Sequence, residues 1–357
     1  IPLEVGSDGT KKTTGREETE QVSFFGYYEG AKGVSGDYFD FRKLDEKHYA
    51  IIKCDVAGKG VPASLIMVEV ATIFLNYFRT WSLEKDGIHL DQLVYGINDL
   101  LEERGFKGRF AALIVLILNV ESGALYMCNA GDNLVHIYDG ERKRMIKKEL
   151  PESPAAGVFP SMLVEMQNPY QQVPFMVKRG DILMLFTDGM EEAQRHFRNS
   201  DFEEILCDAE GVEEGEQHYN HQPGSEFEEL GLPRIENILD AVNNRGEFHL
   251  VKYHNPVPDE ELTFDFSSCD GTAEESVLAL VAVEKVFRLI PDPSAGPEDK
   301  IQVDRRVNEF LKKHFVQYGI YFRHEVEHAE DSDYITFTHL KEDEQYDDLT
   351  LLAIKRH

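Results

Sequence analysis

The apolar runs RFAALIVLILNV and GALYMCNAG are joined only by a turn built on Glu121, Ser122 and Gly123. A connection this short can only reverse the chain, because a parallel crossover needs about a dozen residues or more. The same texture recurs along the sequence. VSFFGYYEG, DYFDFRKL and HYAIIKCD follow one another near the start, and NLVHIYDG, DILMLFTDG, DYITFTHL and LTLLAIKRH come later. All are rich in aromatic and β-branched residues and bounded by turn formers. Strands that follow one another through hairpins predict antiparallel sheets, not a doubly wound parallel sheet.

Helical spacing appears in VPASLIMVEVATIFLNYFRTW, where Pro62 suits a first turn, and in HLDQLVYGINDLLEER. It recurs in EFEELGLPRIENILDAVNN, in TAEESVLALVAVEKVFRLI and in VDRRVNEFLKKHF. Thr272 and Glu275 have the spacing of a capping box. Met67, Phe74 and Tyr77 fall on one helical stripe and read as core. The fold class expected is α+β, an antiparallel sandwich with helices. Residues 1–20 read as a flexible lead-in, and 191–224 as acidic and aperiodic.

The chain has 37 basic and 66 acidic residues, a formal charge of −29. That excludes nucleic acid and anionic membranes as natural partners. The four cysteines are scattered without CxxC spacing and read as reduced thiols. No apolar run reaches the ~20 residues of a membrane span. The expectation is a cytoplasmic domain, and the initial Ile1 suggests a fragment or processed product.

Acids stand at the strand ends. Asp37 opens DYFDF, Asp55 closes YAIIKCD, Asp188 closes DILMLFTD, and Asp347 and Asp348 precede LTLLAI. Any one alone is a turn or cap residue. If Lys43 pairs near His48 or Tyr49, however, Asp37 falls opposite Cys54 or Asp55. Carboxylates that close repel unless a proton or cation intervenes. If the strands ending at Asp188 and beginning at Asp347 are antiparallel neighbours, four acids could meet at one rim. Oxygen donors without histidine suit Mg²⁺ or Mn²⁺, and a pair of such ions suits phosphate ester hydrolysis. The stretch CDVAGKGVPA is not a Walker loop, because Lys59 is followed by Gly60 and Val61. His218 and His221 read as ordinary loop histidines.

SGDYFDF (35–41), CDVAGKGVPASLIM (54–67), CNAGDN (128–133), LFTDGMEEA (185–193) and YDDLTLLAI (346–354) occur in an order that resembles the PPM-type metal-dependent serine/threonine phosphatases, in their bacterial SpoIIE/RsbU-like branch. The resemblance implies an αββα sandwich over 21–357 with two Mn or Mg ions at one end of the sheets. It implies that Asp55 bridges the ions, that the Val56 carbonyl is a further ligand, and that Asp188 and Asp347 hold one ion. Asp37 would lie in the site, with Gly36 and Asp348 supporting it, and Lys59 could contact substrate phosphate. The implied substrate is a phosphoprotein, of the STAS type that antagonises anti-sigma factors.

Three departures stand out. Ser35-Gly36-Asp37 replaces the family's GGD, Asp132 stands where the family has His, and ~150 residues separate TDG from YDD. The stretches 207–224, 245–270 and 291–345 read as insertions. IPLEV resembles the tail of a helix that, in the family, links an upstream sensor to the phosphatase and helps it dimerise. A missing regulatory segment, which could carry a membrane anchor, and a homodimer are implied. The competing reading is a degenerate phosphatase fold used as a binding scaffold through its insertion. A nucleotide-binding regulator rests on AGKG alone.

Overall fold

The structure, a computed structural model, describes residues 3–5, 11–31, 34–105, 108–207, 224–254, 257–326 and 332–357. His218 and His221 lie outside the described residues. The chain divides into two compact units. The first comprises Ile1–Glu4, Thr14–Thr187 and Asp348–His357; the second comprises Val5–Thr13 and Asp188–Asp347.

The first unit begins with β1 (Thr14–Glu18), β2 (Val22–Glu29), β3 (Tyr38–Lys43) and β4 (His48–Val56). Three helices follow, α1 (Val61–Tyr77), α2 (Leu83–Asp86) and α3 (Leu90–Arg104). Then come β5 (Ala111–Asn119), β6 (Ala124–Ala130), β7 (Leu134–Asp139) and β8 (Arg144–Glu149). After α4 (Ser161–Gln167), β9 (Val173–Met176) and β10 (Ile182–Phe186) complete the first pass. The second unit holds α5 (Asp188–Glu191), β11 (Gln194–His196), β12 (Phe227–Glu229), α6 (Gly231–Asn243), β13 (Glu247–His254) and β14 (Val257–Asp265). It continues through α7 (Ala273–Arg288), β15 (Leu289–Ile290), β16 (Lys300–Asp304), α8 (Arg305–His314), α9 (Tyr318–Tyr321), β17 (Tyr334–Thr338) and β18 (Lys341–Glu342). The chain then returns to the first unit as β19 (Leu349–Arg356).

Two sheets dominate the first unit, with strand orders β1-β2-β19-β10-β7-β8 and β3-β4-β5-β6-β9. Every pairing in them is antiparallel. Alternation along β4 decides what lies where. Tyr49 and Ile51 point inward and join Phe24, Ile114, Leu116, Leu183, Leu352 and Ile354 in one core drawn from both sheets. Ala50, Ile52, Cys54 and Val56 point the other way, onto Ile66, Val70 and Phe74 of α1 and Leu93, Val94 and Ile97 of α3. The sheets therefore pack face to face, with helices outside the five-stranded one. Phe74 is fully buried, while Met67 and Tyr77 pack at the edge of that outer core.

In the second unit α7 carries the capping box that its sequence predicts. Thr272 Oγ1 accepts from the Glu275 amide, and the Glu275 carboxylate accepts from the Thr272 amide. Every residue from Ser276 to Arg288 is buried, against α6, α8, β11 and β13 of the same unit. Asp304 caps α8 by accepting from the amides of Arg306 and Val307.

Several expectations change. Within the stretch 1–20, expected from its composition to be flexible, Thr14–Glu18 form β1 on the edge of a sheet. Helix α6 starts only at Gly231, because Phe227–Glu229 pair with β11. The stretch 245–270 holds the hairpin β13–β14, and within 291–345 β16 pairs with β17. β8 and β9 were not foreseen. β8 is a polar edge strand, and β9 contains Pro174, which only an edge tolerates.

Candidate functional site

The site begins with the hairpin of β3 and β4. Lys43 pairs with Tyr49 and Tyr38 with Cys54, and the same register carried one residue further sets Asp37 against Asp55. Asp37 is buried and Asp55 half-buried. The Thr187 hydroxyl donates to Asp37 Oδ2 at 2.6 Å, and the Asp37 amide donates to Ser35 Oγ at 2.8 Å. Asp348, also buried, accepts from the Ala31 amide at 2.8 Å and so ties down the loop between β2 and β3.

Gly36 acts through its missing Cβ. A Cβ there would stand 2.9 Å from the Val56 carbonyl oxygen and 3.1 Å from Ala63 Cβ. Only glycine lets the Asp37 loop approach that carbonyl.

Lys53 was not foreseen. It lies two residues before Asp55 on β4, so both side chains leave the same face of the strand. Its ammonium is 2.6 Å from Asp132 Oδ2 and donates to the Phe186 carbonyl at 2.9 Å. Burial would lower its pKa, but Asp132 first, then Asp55 and Asp37, raise it and hold the group charged. Asp132, the residue that departs from the family pattern, is thus the partner of a buried lysine.

Cys54 faces the opposite core. Burial first, then Asp55 and Asp37, push its thiol well above the ordinary cysteine range. It cannot serve as a thiolate nucleophile. All four cysteines are buried and free. Lys59 is half-buried in the turn after Asp55. Arg109 holds that turn, donating to the Ala57 carbonyl at 3.0 Å, and Gly58, at φ +91°, leaves room for the guanidinium.

The chain leaves the first unit after Thr187 and re-enters at Asp348. Asp188 and Asp347 are the residues just beyond those crossings, and both belong to the second unit. Asp188 opens α5, and its carbonyl accepts from the Glu192 amide at 2.7 Å. Glu192 was also missed. Burial, then Asp188, Glu229 and Asp347, raise its pKa. Among the described residues, no three His, Cys, Asp or Glu side chains already form a cation cage.

Does a divalent cation suit what is present? Asp37, Asp55 and the Val56 carbonyl are hard oxygen donors, the chemistry of Mg²⁺ and Mn²⁺. A Cβ on Gly36 would crowd that carbonyl, so the glycine lets it stand close to the Asp37 loop. The donor set fits.

Two face-to-face antiparallel sheets with acids at strand ends define the PP2C-type phosphatase fold. Residues 45–222, just under half of the chain, match the family model of Stage II sporulation protein E (SpoIIE). It is 27% identical over 164 residues to phosphoserine phosphatase RsbU of Bacillus subtilis, covering 46% of this chain and 45% of that protein. It is 26% identical over 203 residues to protein IcfG of Synechocystis, covering 50% of this chain and 30% of that one. The chain therefore spans less than half the length of these relatives. In structure it resembles the RsbU and RsbW domains of Rv1364c from Mycobacterium tuberculosis, with a TM-score of 0.50 at 12% identity. That match covers 94% of this chain and 60% of the other, and it speaks to the fold alone. No helix among the described residues is long and apolar enough to cross a membrane.

Proposed function

We propose that the chain is a metal-dependent protein serine/threonine phosphatase. The observation that carries this reading is Asp37 set against Asp55 at the rim of a SpoIIE-family sandwich, beside a thiol too basic to attack. Asp55, the Val56 carbonyl, Asp37, Asp188 and Asp347 would hold two Mn or Mg ions. When bound, such ions acidify water and neutralise phosphate oxygens. Thr187 orients Asp37, and Asp348 fixes the adjoining loop. In the reaction a water oxygen bonds to phosphorus. The phosphoester P–O bond breaks, and the departing serine or threonine oxygen takes up a proton. Lys59 is the candidate for contact with substrate phosphate.

The name of RsbU, a phosphoserine phosphatase, supports phosphoserine as the substrate group. The resemblance to that branch supports a STAS-type signalling protein as its carrier, and with it an upstream regulatory segment and a homodimer.

Manganese-dependent release of phosphate from p-nitrophenyl phosphate and from a phosphorylated STAS protein tests the reading. Asp55→Ala and Asp188→Ala should each lower the rate by roughly a hundredfold, the upper end of what loss of metal-site support costs. Unchanged rates in both variants would refute the site. A parent chain that binds the phosphoprotein without hydrolysing it would favour a scaffold.

A further inference from the structure

The mechanism above leaves the Lys53–Asp132 pair, on the inner face of β4, without a task. Lys53 is buried and Asp132 nearly so, with side-chain exposures of 9% and 15%. A pair withdrawn from water gains little net stability, because desolvation offsets most of its attraction. A hydrophobic residue would continue the inward row of Tyr49 and Ile51. The location is more telling. Lys53 and Asp55 are two residues apart on one strand face, about 7 Å between Cα atoms. Asp37 stands across the register from Asp55. The Lys53 ammonium also donates to Phe186, the residue before the threonine that holds Asp37. A fixed positive charge is therefore built into the wall of a carboxylate rim, with a fixed negative charge paired to it.

We propose that Lys53 and Asp132 are a built-in counter-ion pair that sets how tightly the Asp37–Asp55 rim holds a divalent cation. This inference rests on the phosphatase reading. Lys53 opposes the incoming ion, and Asp132 cancels part of that opposition. The two residues are positioning groups, and their effects on metal affinity must have opposite signs. A pair that served structure alone would give effects of one sign, since either single substitution breaks the same contact.

Isothermal titration of the metal-free full chain with MnCl₂ tests this without any turnover. Lys53→Met should tighten Mn²⁺ binding by roughly tenfold, the scale expected for removing one unit charge near a divalent ion in a partly wet site. Asp132→Asn should weaken it by a similar factor. The double variant, which again lacks net charge, should return to within about threefold of the parent, and Lys53→Arg should stay there too. Shifts of the same sign in the two single variants, or no shift in either, overturn the inference while leaving the phosphatase reading intact. A parent chain that binds no Mn²⁺ overturns both. Thermal melts in chelator identify any variant that does not fold. Should Lys53→Met be one, Asp132→Asn against Asp132→Glu decides the matter. Weaker binding in the Asn variant only supports the pair, and equal binding in the two overturns it.

Discussion

The two units solve the problem of a buried interior differently. Between the sheets of the first unit the core is almost wholly apolar, with Phe24, Ile51, Leu116, Leu183 and Leu352 among its members, and buried charges such as Lys53 and Arg356 stand beside that apolar cluster, not within it. In the second unit charge runs through the middle. Glu228 is fully buried between Arg195 and Arg234, with Arg234 Nη2 2.9 Å from its carboxylate. Both guanidinium groups lie over the ring of Phe287, at 4.4 and 5.6 Å. Arg288, one residue on, pairs with Glu284 and donates to the Asp343 carbonyl at 2.7 Å. A sandwich core tolerates one more or one fewer methylene group at moderate cost. A core stitched by ions loses much more when a single partner goes, because the others stay buried and uncompensated.

The strongest way to break this contrast is to remove Glu228. Glu228→Ala should cost about 3–5 kcal/mol, the range for deleting one partner of a buried ion pair. Urea unfolding should show the loss in the second unit, and a cost below about 1 kcal/mol would mean that the network relaxes as readily as a surface pair. Acid sharpens the same point. Burial pushes the Glu228 pKa up, but Arg195 and Arg234 outweigh it and hold the carboxyl below its ordinary value of 4.5. The lowered pKa means that the stabilisation is complete above the unfolded-state value and is lost as pH falls through the folded one. Parent stability should therefore decline as acidification carries the pH down through that window, and Glu228→Gln, already lacking the charge, should decline less. Parallel curves for the two proteins would remove Glu228 from the acid response. The smallest effect belongs to the cap of α7. Thr272→Ala removes the hydroxyl that accepts from the Glu275 amide and should cost about 1 kcal/mol by the same unfolding assay.

The contrast also explains what could be read from the chain alone. In the first unit, period-two alternation and short turns carry the strands, and the hairpin arithmetic brings Asp37 opposite Cys54 or Asp55; the register with Lys43 on Tyr49 selects Asp55. The helices α1, α3 and α7 were equally plain, being long, periodic and, for α7, capped by a local pair. Lys53 escaped notice because a lysine within HYAIIKCD only interrupts an apolar run, and its partner lies on the far side of two intervening strands in sequence. Thr187 is hidden for a similar reason, because its partner Asp37 stands 150 residues away in sequence. Nothing local marks Glu228 as a core residue either. The phrase EFEEL carries helix-forming glutamates, so it read as the start of α6, and only pairing with β11 and two distant arginines make it a buried strand. Alternation is inscribed in neighbouring residues, whereas charge pairing between elements is not.

The position of β19 has a consequence for how the molecule comes to be. This last strand is not at an edge; it lies between β2 and β10, in the middle of its sheet. Thr187 donates its amide to Thr350, so the strand docks only after the whole second unit has been made. Until then β2 and β10 present open hydrogen-bonding edges, which invite pairing with another chain. Closing so long a loop adds little to the thermodynamic cost, since that cost grows only logarithmically, but contacts this distant in sequence slow folding. Refolding should therefore have a late phase in which the six-stranded sheet completes, and it should be most prone to aggregate just before β19 arrives.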